Sequence, residues 1–424
     1  MKVMILGRGG REHAIAWKIS KSPLVEKIYV ATGNAGTDKI AENIDIKSEN
    51  IDKLLNFALK EKIDLTLVGP EIAFTEGLVD VFTKNGLKIM GPTKKVSQLE
   101  SSKAFAKKLL DKYKIPTAAY GAFCCEEDAF KYIEKVGAPL VIRADGLAAG
   151  KGVIIAKDEI TAKLAVNVMI KDKIFGEAGN SVVIEEYMTG ETVSLFAFVH
   201  KNKALSTTTA HDYKRAYDNE RGPNTGGMGA FSPSLRITDS EQKKIEKEIL
   251  NPVLEAMKKE GLEYSGIMFI SLILTENGPK VIEFNLRFND PLTQVILPRL
   301  NGDLAEIILK ILNNDVEDIK IKWKKECCVG VVGVSGGYPL KYQKGYPITG
   351  IDTLKLSDDL LLFHARTENK RGQLITAGGR IFDIVALDKK LDKAIDKVYK
   401  EIKKVFFTGI HFRKDIGKEE GVRS

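Results

Sequence analysis

Glu283, Asn285 and Arg287 lie two residues apart in the run Val281-Ile282-Glu283-Phe284-Asn285-Leu286-Arg287-Phe288-Asn289-Asp290. Read as a β-strand, successive side chains point to opposite faces. Ile282, Phe284, Leu286 and Phe288 would then enter a core, and Glu283, Asn285, Arg287 and Asn289 would share the other face. Carboxylate and amide oxygens suit Mg²⁺ or Mn²⁺, and Mg²⁺ completes its octahedron with water and phosphate oxygens. A guanidinium two residues on can clamp a second anion, such as a carboxylate or an acyl phosphate. Taken alone, the pattern also fits a half-exposed strand with a solvated polar face.

Other segments carry chemistry of the same kind. Gly7-Arg8-Gly9-Gly10-Arg11-Glu12-His13 joins a predicted strand to a helix, where free N–H groups and the helix dipole attract phosphate. Glu12 stands where a dinucleotide fingerprint needs glycine, which disfavours NAD and leaves a sugar phosphate open, with Arg11 as an added cation. Arg143-Ala144-Asp145-Gly146-Leu147-Ala148-Ala149-Gly150-Lys151-Gly152-Val153 is a small-residue loop that lets backbone approach a polyphosphate. No Ser or Thr follows a Gly-Lys pair there, so it is not a P-loop. Glu185-Glu186-Tyr187-Met188 ends a strand that could present backbone groups to an adenine edge, with Glu191 near ribose hydroxyls. His211 to Ala230 reads as a long irregular segment whose glycines aim backbone donors at an anion. His211 has no second His or Cys nearby, which favours a hydrogen-bonding role over a metal ligand.

The elements that position these residues follow from periodicity. Residues 1–100 alternate apolar runs with helical patterns, which predicts a doubly wound parallel sheet with ligands at the carboxyl ends of its strands. Helices are predicted at 103–113, 239–260, 303–313 and 388–405, and long strands at 192–209 and 264–284. Beyond Lys324 the chain is strand-rich. With 424 residues, two to four domains are expected, interlocked rather than beaded. No run of 18 apolar residues exists to span a membrane. The chain opens directly on a strand pattern, and its cysteines, Cys124-Cys125 and Cys327-Cys328, lack zinc spacing; both point to a reducing cytoplasm. A net charge of +8 could suggest nucleic acid, but 65 basic and 57 acidic residues are interspersed, which suits small anionic substrates instead.

Taken in order, GRGGREHA (7–14), GNAGT (33–37), VGPE (68–71), GPT (91–93), ESSKAFAK (100–107), ADGLAAGKGV (144–153), HDYKR (211–215), GPNTGGMGAFSP (222–233), EFNLRF (283–288) and FRKDIG (412–417) resemble the phosphoribosylamine–glycine ligases. These are ATP-grasp enzymes of purine synthesis, also called glycinamide ribonucleotide synthetases. The resemblance implies an α/β and α+β multidomain fold. It would comprise an N-terminal Rossmann-like parallel-sheet domain (1–102), central ATP-grasp domains (103–323, nucleotide flap at about 121–187) and a strand-rich C-terminal domain (324–424). It further implies ligation of glycine to 5-phosphoribosylamine through glycyl phosphate, with ATP as substrate and Mg²⁺ or Mn²⁺ as cofactor. Glu283 and Asn285 would hold the metal. Lys103, Arg143 and the flap residues Gly146, Leu147, Ala148, Ala149, Gly150, Lys151 and Gly152 would hold the phosphates. Glu185, Glu186, Tyr187 and Met188 would hold adenine, and Glu191 the ribose. Arg287, Asp212, Lys214 and Arg215 would face glycine and its phosphorylated form. Gly9, Gly10, Arg11, Asn289, Asp290 and Pro291 would hold phosphoribosylamine. A monomer is expected, with small-molecule substrates, no nucleic acid or membrane, and channelling to partner enzymes as an option.

This chain departs from the family pattern at Arg143 (Lys), His211, Thr192, Asn289 (Gly), Leu292 (Glu) and Arg366 (Gly). Leu292 removes a carboxylate expected near the substrate site, so restoring Glu should change the glycine KM more than the ATP KM. The alternatives are a biotin-dependent or phosphoribosyl carboxylase of the same superfamily and a catalytically impaired nucleotide-binding protein.

Overall fold

The computed structural model describes residues 1–148, 152–317 and 319–418. Its first hundred residues form a five-stranded parallel sheet in the order Glu42–Ile44, Lys27–Thr32, Lys2–Gly7, Leu65–Val68 and Ile89–Met90. Strand order reverses direction at Lys2–Gly7, so the crevice beyond Gly7 is a topological switch point, where open α/β sheets bind ligands. The helix Gly10–Ile19 begins there and buries Ala14, Ile15, Ala16 and Ile19 against the sheet. Glu12 reaches back to accept the Gly9 N–H at 2.6 Å, which satisfies a donor at the helix start.

A four-stranded antiparallel sheet, Tyr120–Phe123, Val182–Glu186, Leu140–Ala144 and Val153–Ala156, carries helices Glu126–Val136 and Glu159–Val166. The small-residue loop connects its last two strands, and Ala149, Gly150 and Lys151 lie outside the described residues. Asp145 pins the base of that loop. Its carboxylate accepts from Ser102 Oγ, the Ala104 N–H and Ser181 Oγ.

The largest sheet has eight antiparallel strands: Gly278–Asn285, Gly266–Thr275, Glu191–His200, Lys203–Asp212, Gly229–Ser232, Cys327–Val334, Arg380–Asp388 and Leu360–His364. It crosses the expected boundary at residue 324 without interruption, because Gly229–Ser232 pairs with Cys327–Val334. The helix Leu391–Ile402 buries Leu391, Ala394, Ile395, Val398, Tyr399 and Ile402, the spacing of one apolar helical stripe, against two of these strands. One apolar cluster draws Val3 and Ile5 from the first sheet, Phe196 and Phe269 from the middle of the chain, and Cys328 and Val385 from its end. The interlocking expected from sequence is therefore physical: a core is shared across all three segments.

Candidate active site

Three expectations for the 281–290 run change in the structure. The strand ends at Asn285, and Ile282 is an extra residue between the pairs Ser271–Glu283 and Leu272–Val281. That bulge turns Val281 into the core with Phe284 and Leu286, while Ile282 stays half-buried. Phe288, beyond the strand, joins a different cluster. From Glu283 to Asn285 the alternation holds, and the two polar side chains share a face.

Glu283 sits among cations. Lys214 Nζ lies 3.2 Å from Oε1, with Lys103 Nζ 3.6 Å and Arg143 Nη1 4.0 Å from Oε2. Lys214, then burial opposing it, then Lys103 and Arg143 set its proton affinity, and the carboxyl is held far below its usual range. Lys214 is raised in turn, chiefly by Glu283. Behind them Glu185 is buried between Arg143 Nε at 3.2 Å and Lys107 Nζ at 3.4 Å. Burial opposes the Arg143 charge, but Glu185 and Glu283 outweigh it and raise its pKa. Four cations (Lys103, Lys107, Arg143, Lys214) thus meet two carboxylates (Glu185, Glu283) in ion pairs, with Asp212 also acting on Lys214, an excess of one positive charge. A polyanion would complete the balance.

Glu283 and Asn285 offer only oxygen donors of the hard type that Mg²⁺ and Mn²⁺ prefer. The Asn285 amide nitrogen is buried without a hydrogen-bond partner, so no neighbour fixes that side chain through its nitrogen. Among the described residues no three His, Cys, Asp or Glu converge, which leaves most of the ion's shell for phosphate and water. The residues present fit such an ion.

The remaining expected site residues are dispersed among several environments. Glu186 pairs with Lys280 at 2.8 Å, Tyr187 is exposed, Met188 is half-buried, and Glu191 lies 3.6 Å from Arg236. Gly146 donates its N–H to Ala178 O, and Leu147 is half-buried. A Cβ on Gly152 would stand 2.7 Å from that of Ala148, so the flap base has no room for larger residues. Arg11 does not serve as an open cation: its side chain is buried, bonded to Glu12 and to Phe288 O. Arg287 pairs at 3.0 Å with both Glu71 and Glu100, rather than standing with Asp212, Lys214 and Arg215. Arg215 donates to Gly222 O, closing the hairpin Arg215–Tyr217/Arg221–Asn224. The glycine-rich segment is therefore not irregular. Its second part, Gly229–Ser232, joins the large sheet, where a Cβ on Gly229 would sit 2.7 Å from Gly330 O.

Asn289 O accepts from Thr293 N and Oγ1, and Asp290 Oδ1 accepts from Gln294 Nε2 at 2.8 Å and Arg380 Nη1 at 3.1 Å. Pro291 backs the glycine loop, since a Cβ on Gly227 would stand 2.3 Å from its Cδ. His211 is a hydrogen-bonding residue: Nδ1 lies 2.8 Å from Thr192 O, and burial lowers its pKa to about 4.

Leu292 is fully buried with Phe288, Val295 and Ile296. It is a core residue, and Leu292→Glu would place a carboxylate in apolar surroundings. The expected result is a loss of about 3–5 kcal/mol in stability, read by denaturant unfolding, not a selective change in glycine KM.

Sequence reasoning gave no role to Lys107, Glu71, Glu100 or Arg380. Lys107 was legible, four residues after Lys103 on one helix face. Glu71 and Glu100 had motif membership but no local cue to their shared partner, and Arg380 lies 90 residues from Asp290.

Comparison with known proteins shows the family to which the whole chain is similar. Profiles described as phosphoribosylglycinamide synthetase match in three parts: the N domain over 1–100, the ATP-grasp (A) domain over 101–293 and the C domain over 328–419. A phosphoribosylamine–glycine ligase of Caldanaerobacter subterraneus is 47% identical over 98% of this chain and 99% of its own. That of Halalkalibacterium halodurans is 44% identical over 99% and 97%. The crystal structure of the Thermotoga maritima phosphoribosylamine–glycine ligase superposes with a TM-score of 0.84 at 32% identity, covering 98% and 100%. The biotin carboxylase domain of a Hydrogenobacter thermophilus 2-oxoglutarate carboxylase, at 15% identity, shares the fold, with a TM-score of 0.76 over 97% and 91%. With its sheets, its cation-ringed Glu283 and these likenesses together, the chain belongs to the phosphoribosylglycinamide synthetase family.

Proposed function

We propose that this chain joins glycine to 5-phosphoribosylamine, consuming ATP through a glycyl phosphate intermediate, and that the Glu283 cluster is where the triphosphate meets the amino acid. The ligase activity follows from membership and from near full-length likeness to relatives of that name. The excess positive charge around Glu283 carries the rest of the reading. A carboxylate is a poor electrophile, so glycine must first be phosphorylated. Phosphoryl transfer asks mainly for positioning and charge neutralisation, which a ring of Lys and Arg supplies without a protein nucleophile.

In this reading Lys103, Arg143 and Lys214 contact the phosphates, released from Glu283 as the polyanion enters. Glu283 and Asn285 would hold Mg²⁺ or Mn²⁺, which neutralises phosphate charge when bound. The small-residue loop and Glu185 to Met188, with Glu191, enclose the nucleotide. Asp212, Lys214 and Arg215 orient glycine, and Arg287 braces the strand through Glu71 and Glu100. The Gly9-Gly10 turn and Asp290 hold phosphoribosylamine at the switch-point crevice. A cytoplasmic monomer is the working form.

The test is ADP release measured with freshly made phosphoribosylamine. ADP should appear only when ATP, glycine and the amine are all present, with glycinamide ribonucleotide formed one to one. ATP binding without such release would support the impaired alternative, and bicarbonate uptake would support a carboxylase.

A further inference from the structure

The amide-forming step needs a proton acceptor, because an amine that attacks an acyl phosphate carries one proton too many. Asp290 is placed for that task. It stands beside the Gly9-Gly10 turn, five residues beyond Asn285 in the chain. Its Oδ1 is held by Gln294 Nε2 and Arg380 Nη1. No hydrogen bond from the described residues reaches Oδ2, which faces Gly9: a methyl placed on Gly9 would stand 3.2 Å from it. Glu12, the nearest rival, has a hydrogen bond on each oxygen, Oε2 taking the Gly9 N–H and Oε1 the Arg11 guanidinium. Arg380 also donates to Gly226 O, tying the glycine-rich loop to the same carboxylate.

A second carboxyl stands behind the first. Asp383, on the Arg380–Asp388 strand, is 1% exposed, and neither of its oxygens has a hydrogen-bond partner. Burial first, then the Asp290 charge, push its pKa well up, against Arg380. Charged groups facing Asp290 are Arg380 and Asp383 from that strand, Glu12 from the first helix and Arg287 from its own segment.

We infer that Asp290 Oδ2 is the general base that takes the proton from the phosphoribosylamine nitrogen as the amide forms. The nitrogen lone pair makes the C–N bond, and the acyl C–O bond breaks with its electron pair leaving on phosphate. The surplus N–H proton passes to Asp290. This rests on the phosphoribosylamine reading above, and the two can fail separately.

The experiment compares full-length Asp290→Asn and Asp290→Glu with the unsubstituted chain. Asp290→Asn should lower kcat by roughly 10²–10⁴-fold, a larger factor than any accompanying rise in KM for phosphoribosylamine. Its rate should recover as pH rises and hydroxide replaces the missing base, whereas Asp290→Glu should restore part of kcat near neutrality. A kcat within threefold of the unsubstituted chain, or a loss confined to KM, overturns the assignment. So does an Asp290→Glu enzyme that folds, by its unfolding midpoint, yet is no faster than Asp290→Asn; this comparison serves even if the Asn variant is unstable. An unsubstituted chain that releases no ADP with all three substrates instead overturns the underlying reading.

Discussion

Replacing Glu283 with alanine is expected to lower glycine-dependent ADP release by roughly 10³-fold, the scale on which removing one group that stabilises transition-state charge is felt. Glu283 is the carboxylate that Lys103, Arg143 and Lys214 surround, and the carboxylate proposed to hold the divalent ion. Without it, three cations face one another, and the donor pair is reduced to a neutral amide. Stability should fall too, with a definite pH dependence. The folded-state pKa of Glu283 lies below its ordinary 4.5, so its stabilising contribution is present above that value and lost as pH falls through the folded pKa. The gap in unfolding free energy between the two proteins should therefore be widest near neutrality and narrow below pH 4.5. Steady-state kinetics at saturating Mg²⁺ and urea titrations at two pH values read both effects. Turnover within tenfold of normal would remove the metal assignment.

Arg287→Met is expected to cost about 3–5 kcal/mol of stability, because it strands two partly or fully buried carboxylates. Arg287 holds Glu71 and Glu100 each at 3.0 Å, and Glu100 also accepts the Leu286 N–H at 2.7 Å. Arg287 favours the ionised form of both acids, but burial weighs differently on each. Arg287, opposed by burial, holds Glu71 below the ordinary 4.5. For Glu100 burial wins over Arg287, and its pKa rises. The contribution of Glu71 is thus present above pH 4.5 and lost in acid, whereas that of Glu100 turns unfavourable as pH climbs past 4.5. Methionine removes the cation from both, so the deficit should be greatest at pH 7 and shrink toward pH 4. Denaturant midpoints across that range check it. A deficit below 1 kcal/mol at pH 7 would mean that the cluster is solvated and does not brace the strand.

Much of this architecture was legible from the chain. Alternation of KVMILG and KIYVAT with helical spacing gave the parallel sheet, and oxygen donors at 283 and 285 gave the shared polar face. What escaped was whatever depends on distant partners. The bulge at Ile282 answers to the register of Gly266–Thr275, which no local period encodes. Arg287 looked like a free anion clamp because Glu71 and Glu100 are about 200 residues away in sequence; Arg11 looked open because Phe288 O is 277 residues away. Glycines at 226, 227 and 229 suggested an irregular loop. In the fold, Gly229 instead allows close approach of a neighbouring strand's carbonyl.

The pairing of Gly229–Ser232 with Cys327–Val334 has a consequence for biogenesis. While the ribosome is still making the last third of the chain, the strand at 229–232 has an unfilled flank, and its backbone groups stand open to any passing polypeptide. Completion of the sheet must wait for nearly a hundred further residues to emerge. The nascent protein therefore passes through an interval in which protection by chaperones counts for more than the stability of the finished fold.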